Sequence, residues 1–172
     1  MAIIKKINNF LPKIGENCFL AENSVLVGDV ILKENCSVWY NAVLRGDVNF
    51  IRIGHSVNIQ DNVVIHGTYQ INPTIIGNKV SIGHGSIIHG CTISDNVLVG
   101  MGSIIMDGVC IGSNTIIGAG TLVPKNKIIQ PNSILVGNPF KVIKENVSLN
   151  DLKIIEQTSL NYIKYAKWYK EN

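Results

Sequence analysis

An aliphatic residue returns at every sixth position along most of the chain, first as Ile14, Leu20, Leu26, Leu32, Val38 and Leu44. The series slips in phase and resumes at Ile53, Ile59 and Ile65, slips again to Ile76, Ile82 and Ile88, and once more to Ile93, Val99, Ile105, Ile111, Ile117 and Val123. Gly often follows the aliphatic residue, as at Gly54, Gly77, Gly83, Gly100, Gly112 and Gly118. A small or β-branched residue often stands four places on, as at Val57, Val63, Val80, Ser86, Val97, Ser103, Thr115 and Thr121. This spacing fits neither an amphipathic helix nor a lone alternating strand. It fits a triangular prism in which three such units make one turn. Each face is then a short strand, and each corner a turn at which Gly is expected to tolerate unusual dihedrals. Coils stack at about 4.8 Å, the ordinary distance between strands. The pattern therefore predicts a mainly β fold, a parallel β-helix over about residues 11–140. A doubly wound α/β fold would need helical crossovers, and no helical period appears before about residue 147. Spacing leaves the handedness open, and the general rule for crossovers favours a right-handed coil.

The period changes near the end. Ser148 is placed to cap a helix from Leu149 to about Lys170, with Asp151 three places on as the acid of a capping box. Leu152, Ile155, Tyr162, Ile163, Ala166 and Tyr169 give that helix an apolar stripe, expected to pack along one face of the prism. With the helix at about 148–170, residues 1–172 read as one domain.

Composition narrows the rest. Hydrophobic residues make up 46% of the 172 but aromatics only 6%, so the core is aliphatic. A net charge of +3, its Lys crowded towards the two ends, lacks the dense basic face and interleaved aromatics of a nucleic-acid binder. Neither a signal-peptide pattern nor a membrane-spanning run is present, so the expectation is a cytoplasmic protein with no membrane partner. The four Cys have no CxxC spacing. Cys18 and Cys36 are three repeats apart and are expected to stack inside as packing; Cys91 and Cys110 match no ligand pattern.

The register then sorts the polar residues. Leu44, Ile65, Ile88 and Ile105 form one inward column, so Arg45, His66, His89 and Met106 form the outward column beside it. Two imidazoles one coil apart on an outer face can share a metal ion. His84 belongs to the preceding repeat. Five extended residues span about 16 Å, whereas a metal–nitrogen bond is about 2.0–2.1 Å. One chain would hardly bring His84 and His89 to one ion, but a second copy in a closed threefold assembly could supply His84. His55 stands in a different column with Glu34 and Asn78 and reads as a surface residue. Trp39, in the column of Gln60, is expected at a subunit interface, and Met106 as packing.

Arg45-Gly46-Asp47, then Asn58-Ile59-Gln60-Asp61, then His66, His84 and His89, resemble in order and spacing the γ-class carbonic anhydrase family of hexapeptide-repeat proteins. The resemblance covers nearly the whole chain, and Ile134–Lys141 resembles that superfamily's usual exit from the coil. It implies a left-handed coil and a homotrimer with metal sites between subunits. It also implies zinc, with iron or cobalt as alternatives, held by His66, His84 and His89, and a metal-bound hydroxide that attacks CO2 to give bicarbonate. Arg45 and Asp47 resemble a pair bridging subunits beside the site, and Gln60 a residue that hydrogen-bonds the metal-bound solvent. Three neutral imidazoles leave one position open, the pattern of a catalytic rather than a structural zinc. Asp61 would orient a ring or the solvent from outside.

This chain departs from the family's best-known catalysts at two places. Val48 replaces an acid, and residues 68–74 carry no carboxylate where those catalysts have an acidic loop for relaying protons. A metal-dependent lyase is thus expected to be slow. Two other readings compete: acyl transfer, which the same coil serves with one general-base His, and a non-catalytic metal-binding protein of the iron-siderophore-binding type.

Overall fold

The computed structural model describes residues 1–170, and Glu171 and Asn172, within the expected domain, lie outside the described residues. The chain winds into a parallel β solenoid of about seven turns followed by one helix, α1 (Leu149–Lys170). One face stacks Phe19–Leu20, Ser37–Val38, Asn58–Ile59, Ser81–Ile82, Val97–Val99, Thr115–Ile117 and Ile134–Val136. The other two faces share strands, because Val25–Leu32 and Val43–Ile53 each run round a corner. Val43–Ile53 pairs with Val64–His66 at one end and with Thr74–Ile76 at the other.

The six-residue series is the core. From Leu26 to Val123 every aliphatic residue of that series is buried, and so are Val57, Val63, Val80, Ser86, Val97, Ser103, Thr115 and Thr121 four places on. The inward column is in register as the spacing requires, Leu44 against Ile65, Ile65 against Ile88, and Ile88 against Ile105. Ile111, 1% exposed, has no room to be replaced by water or to collapse, so Ile111→Ala is expected to cost about 2–5 kcal/mol in urea unfolding.

Asparagine shares the corner role expected of glycine. Among the described residues ten of the thirteen non-glycine positions with positive φ are Asn, so the corner turns rest largely on Asn, whose short polar side chain tolerates that conformation. The Gly that follows the aliphatic residue stands instead where coils approach closely. A Cβ at Gly112 would lie 2.4 Å from the Pro131 nitrogen, and one at Gly100 2.5 Å from the Ala119 nitrogen.

The phase slips are structural. At the first, the strand pairing skips from Gly28–Gly46 to Val30–Ile51, which throws Asp47 to Phe50 out as a bulge. At the second, a loop closes on itself through Thr68 and Asn72. The two protrusions touch, Asn49 Nδ2 donating to the Thr68 carbonyl at 3.0 Å and the Gln70 amide to the Val48 carbonyl at 3.5 Å. Both lie on the corner that carries His66.

Helix α1 begins with the expected capping box. The Ser148 amide donates to Asp151 Oδ2 at 2.8 Å, and the Asp151 amide donates to Ser148 Oγ at 3.2 Å. It packs on the seven-strand face, burying Ile155, Ser159 and Ala166. Trp39 is only 6% exposed because α1 covers it, its ring 5.4 Å from Tyr162 and 5.3 Å from Tyr169. The helix therefore takes the place expected of a neighbouring subunit at Trp39. Two further strands were not legible in the repeat: Ile3–Lys5, which pairs with Val25–Val27 ahead of the first coil, and Lys141–Lys144, which turns back antiparallel on Ile134–Val136. No helix among the described residues is long and apolar enough to cross a membrane.

Candidate metal centre

Pairing of Ile87–His89 with Val64–His66 sets His89 beside His66, the two residues in direct register. His66 Nδ1 lies 3.2 Å from His89 Nε2. Each ring is held from its other side by a carboxylate. Asp47 Oδ1 is 3.0 Å from His66 Nε2, and Asp107 Oδ1 is 3.0 Å from His89 Nδ1. An ionised carboxylate only accepts, so the nitrogens facing Asp47 and Asp107 carry the protons. With the rings neutral, the two nitrogens that face one another then both present lone pairs.

His84 follows Ser81–Ile82 on the other sheet and does not join them. Its Nδ1 lies 2.8 Å from Asp61 Oδ2, so its Nε2 is the open lone pair, 3.4 Å from the Tyr162 hydroxyl. That nitrogen opens on a cleft of about 270 Å³ lined by Trp39, Tyr40, Asp61, His84, Tyr162 and Tyr165. Among the described residues no three His, Cys, Asp or Glu side chains are grouped to hold an ion within one chain. His55 stands apart from the three, its Nδ1 3.5 Å from Ser56 Oγ.

Burial favours the neutral, accepting form of His66. Burial lowers the pKa of His66, and Arg45 adds to that, against the opposing pull of Asp47. For Asp47, burial is outweighed by hydrogen bonds from Arg45 and His66, and its carboxyl titrates below the usual range. For Asp107, burial is likewise outweighed, by the bonds from the Thr68 hydroxyl and from His89. Burial beside Asp61 pushes the Tyr162 phenol up to about 12, so its proton stays in place at neutral pH.

Arg45 and Asp47 pair within this chain, Nη1 to Oδ2 at 2.6 Å, so Asp47 serves His66 and Arg45 together. Gln60 is 5% exposed with both ends of its amide engaged, Nε2 donating to Asn58 Oδ1 at 3.0 Å and Oε1 accepting from the His84 amide at 3.2 Å. It braces the backbone of His84. Asp107 was missed by sequence reasoning. Met106 fills its place in the outward column, and Asp107 reaches His89 from the turn beyond. An acid one full coil after a candidate ligand is the signal that could have found it.

The histidine donor set suits a metal ion of the zinc class. Carboxylate-anchored imidazoles are the usual support of such ligands. The separation of 3.2 Å between His66 Nδ1 and His89 Nε2 is close to about 3.3 Å, the edge of a tetrahedron whose centre is about 2.0–2.1 Å from each nitrogen.

Comparison with known proteins agrees with this reading. The family described as bacterial transferase hexapeptide (six repeats) matches residues 12–46 and 90–125, leaving out the stretch that carries the bulge, the loop and the three His. A Methanocaldococcus jannaschii protein named "Probable carbonic anhydrase" is 50% identical over 90% of this chain and 96% of its own. The mitochondrial gamma carbonic anhydrase 2 of Arabidopsis thaliana is 37% identical over 91% of this chain, which spans 58% of that protein. The crystal structure of a hexapeptide transferase family protein from Anaplasma phagocytophilum superposes with a TM-score of 0.92 at 35% identity, covering 97% of this chain and 98% of that one. With the repeat, the spacing of its histidines and a relative half identical over nearly its full length, the chain belongs to the γ-class carbonic anhydrase-like family of hexapeptide-repeat proteins.

Proposed function

We propose that this chain is a slow carbonic anhydrase that converts CO2 to bicarbonate reversibly, as a homotrimer. A zinc ion, or iron or cobalt, would be held between subunits by His66 and His89 of one copy and His84 of the next. The observation that carries this reading is the facing pair of lone pairs on His66 and His89. Two acceptors at 3.2 Å with no proton between them repel. A cation between them turns that repulsion into coordination. When bound, the ion supplies Lewis acidity and hydroxide near neutral pH.

The chain's own residues supply the rest. Asp47, Asp61 and Asp107 each fix one ring by its N–H, so the opposite nitrogens point outward without a search through rotamers. Arg45 holds Asp47, and Gln60 holds the His84 backbone. Trp39, Tyr40 and Tyr165 keep the cleft beside His84 apolar, which suits a small uncharged substrate. An acyltransferase would need one general-base His, and nothing in that chemistry requires three carboxylate-anchored imidazoles.

Light scattering, elemental analysis and a CO2-hydration assay on one preparation test the proposal together. The expected result is a trimer with about one metal ion per chain and hydration that is lost on chelation. A metal-loaded monomer, or a loaded trimer that transfers acetyl groups and leaves CO2 untouched, would overturn it.

A further inference from the structure

Away from the histidine corner, two thiols share one column of the coil. Cys18 and Cys36 precede Phe19 and Ser37, which are register partners in adjacent parallel strands. The Phe19 amide donates to the Cys36 carbonyl at 2.9 Å, which fixes that register. Their Cα atoms are thus about one strand spacing apart, about 4.8 Å, inside the window of about 4.4–6.8 Å that a disulfide requires. Both are free thiols.

The two differ in surroundings. Cys36 is 1% exposed and reaches the Gly54 carbonyl at 3.0 Å; Cys18 is half-buried and reaches the Lys33 carbonyl at 3.1 Å. The neighbouring Cys36 draws Cys18 down to about 7 in spite of burial and the nearby Glu34, with help from the Lys170 ammonium. The neighbouring Cys18, together with burial, pushes Cys36 far up. Lys170 is held there, its Nζ donating to the Asn17 carbonyl at 2.7 Å, so the last turn of α1 stands over the pair. A cavity of about 480 Å³ between α1 and the coil, lined by Asn17, Asn35, Cys36, Ala166, Lys167 and Lys170, reaches the pair at Cys36. A half-exposed, readily ionised thiol with a second thiol beside it is what thiol oxidation favours.

We propose that Cys18 and Cys36 form a reversible redox couple that reduces small hydroperoxides, with Cys18 the attacking and Cys36 the resolving thiol. The Cys18 sulfur attacks one oxygen of the peroxide; a sulfur–oxygen bond forms, the oxygen–oxygen bond breaks, and the leaving oxygen takes up a proton as an alcohol or water. Cys36 then attacks the Cys18 sulfur. The sulfur–sulfur bond forms, the sulfur–oxygen bond breaks, and the hydroxyl departs with the Cys36 proton as water. Two thiols give up two electrons and the peroxide accepts them. A small dithiol such as dithiothreitol returns the pair to thiols by exchange. The proposal is independent of the metal and of carbonic anhydrase activity.

Hydrogen peroxide and dimedone are added together to the reduced full-length protein, and peptides are mapped by mass. The wild type is expected to give a Cys18–Cys36 linked peptide that dithiothreitol reverses. Cys36→Ser should instead accumulate dimedone on Cys18, and Cys18→Ser should show neither link nor adduct at Cys36. In the untreated wild type, iodoacetamide should modify Cys18 with an inflection near pH 7, and on the order of tenfold faster than buried Cys91. Oxidation of the exposed Cys110 while Cys18 and Cys36 remain thiols would overturn the proposal. So would oxidation of Cys18 in the wild type without the linked peptide.

Discussion

Alanine at His66 or at His89 should strip the protein of metal and leave the β-helix intact. Both side chains stand outside the core, which is closed beneath them by Ile65 and Ile88, each 0% exposed. Their removal creates no cavity. Far-UV circular dichroism should be unchanged and the metal content should fall from about one ion per chain to background. His84→Ala should do the same although His84 lies on another sheet, and His55→Ala should do nothing. Asp107→Asn keeps its shape and its bond from Thr68 but weakens the grip on the His89 N–H. Metal affinity should fall about 10–100-fold, the usual effect of losing such an outer partner. The sharper test of a shared site is to refold His66→Ala chains with His84→Ala chains. In a closed ring each mixed trimer has one interface where an intact His66–His89 pair meets an intact His84. Mixed trimers should regain metal at about one site in three, whereas each variant alone regains none. Recovery absent from correctly mixed trimers, or metal lost from His55→Ala, would show that the ligands have been grouped wrongly.

The repeat made the core legible because burial and stacking act on the same positions. A residue that faces inward on one coil faces inward on the next, so Leu44, Ile65, Ile88 and Ile105 could be aligned across three slips in phase. His66 and His89 could be placed together for the same reason. Residues that leave the column were not legible. Asp107 reaches His89 from a turn, and turns obey no period. Trp39 looked like an interface residue because the aromatic stripe of α1 has no sequence signal for the face it covers. Gly was assigned by dihedral preference alone, whereas close approach between coils governs Gly100 and Gly112. The slips themselves carried meaning. The first two mark residues thrown outward, and both collect at the corner where His66, His89, Asp47 and Asp107 meet.

The same corner decides how fast catalysis can run. Hydration of CO2 releases one proton per turnover, and that proton has to reach bulk solvent. Val48 sits in the bulge and Gln70 in the loop, joined by the bond from the Gln70 amide to the Val48 carbonyl at 3.5 Å. Neither protrusion offers a free carboxylate. Asp107 is close but engaged by His89, Thr68 and Lys125, and it titrates below the usual carboxylate range. It holds a ring and is a poor acceptor for a travelling proton. The expected result is weak hydration that rises with the concentration of a small buffer such as imidazole, measured by stopped flow at fixed ionic strength with metal content confirmed. Val48→Glu, or Gln70→Glu across the bond from it, should raise kcat at low buffer on the order of 10–100-fold, at or below the usual contribution of positioned proton-transfer groups. kcat/KM should change much less, because proton export follows conversion of the substrate. The two substitutions together should add little to either one, since both serve the same proton-export step at one corner. A fast rate independent of buffer in the unaltered protein would mean that another group exports the proton. No rate at any buffer concentration, with the site fully loaded, would leave a metal-binding protein without hydratase activity.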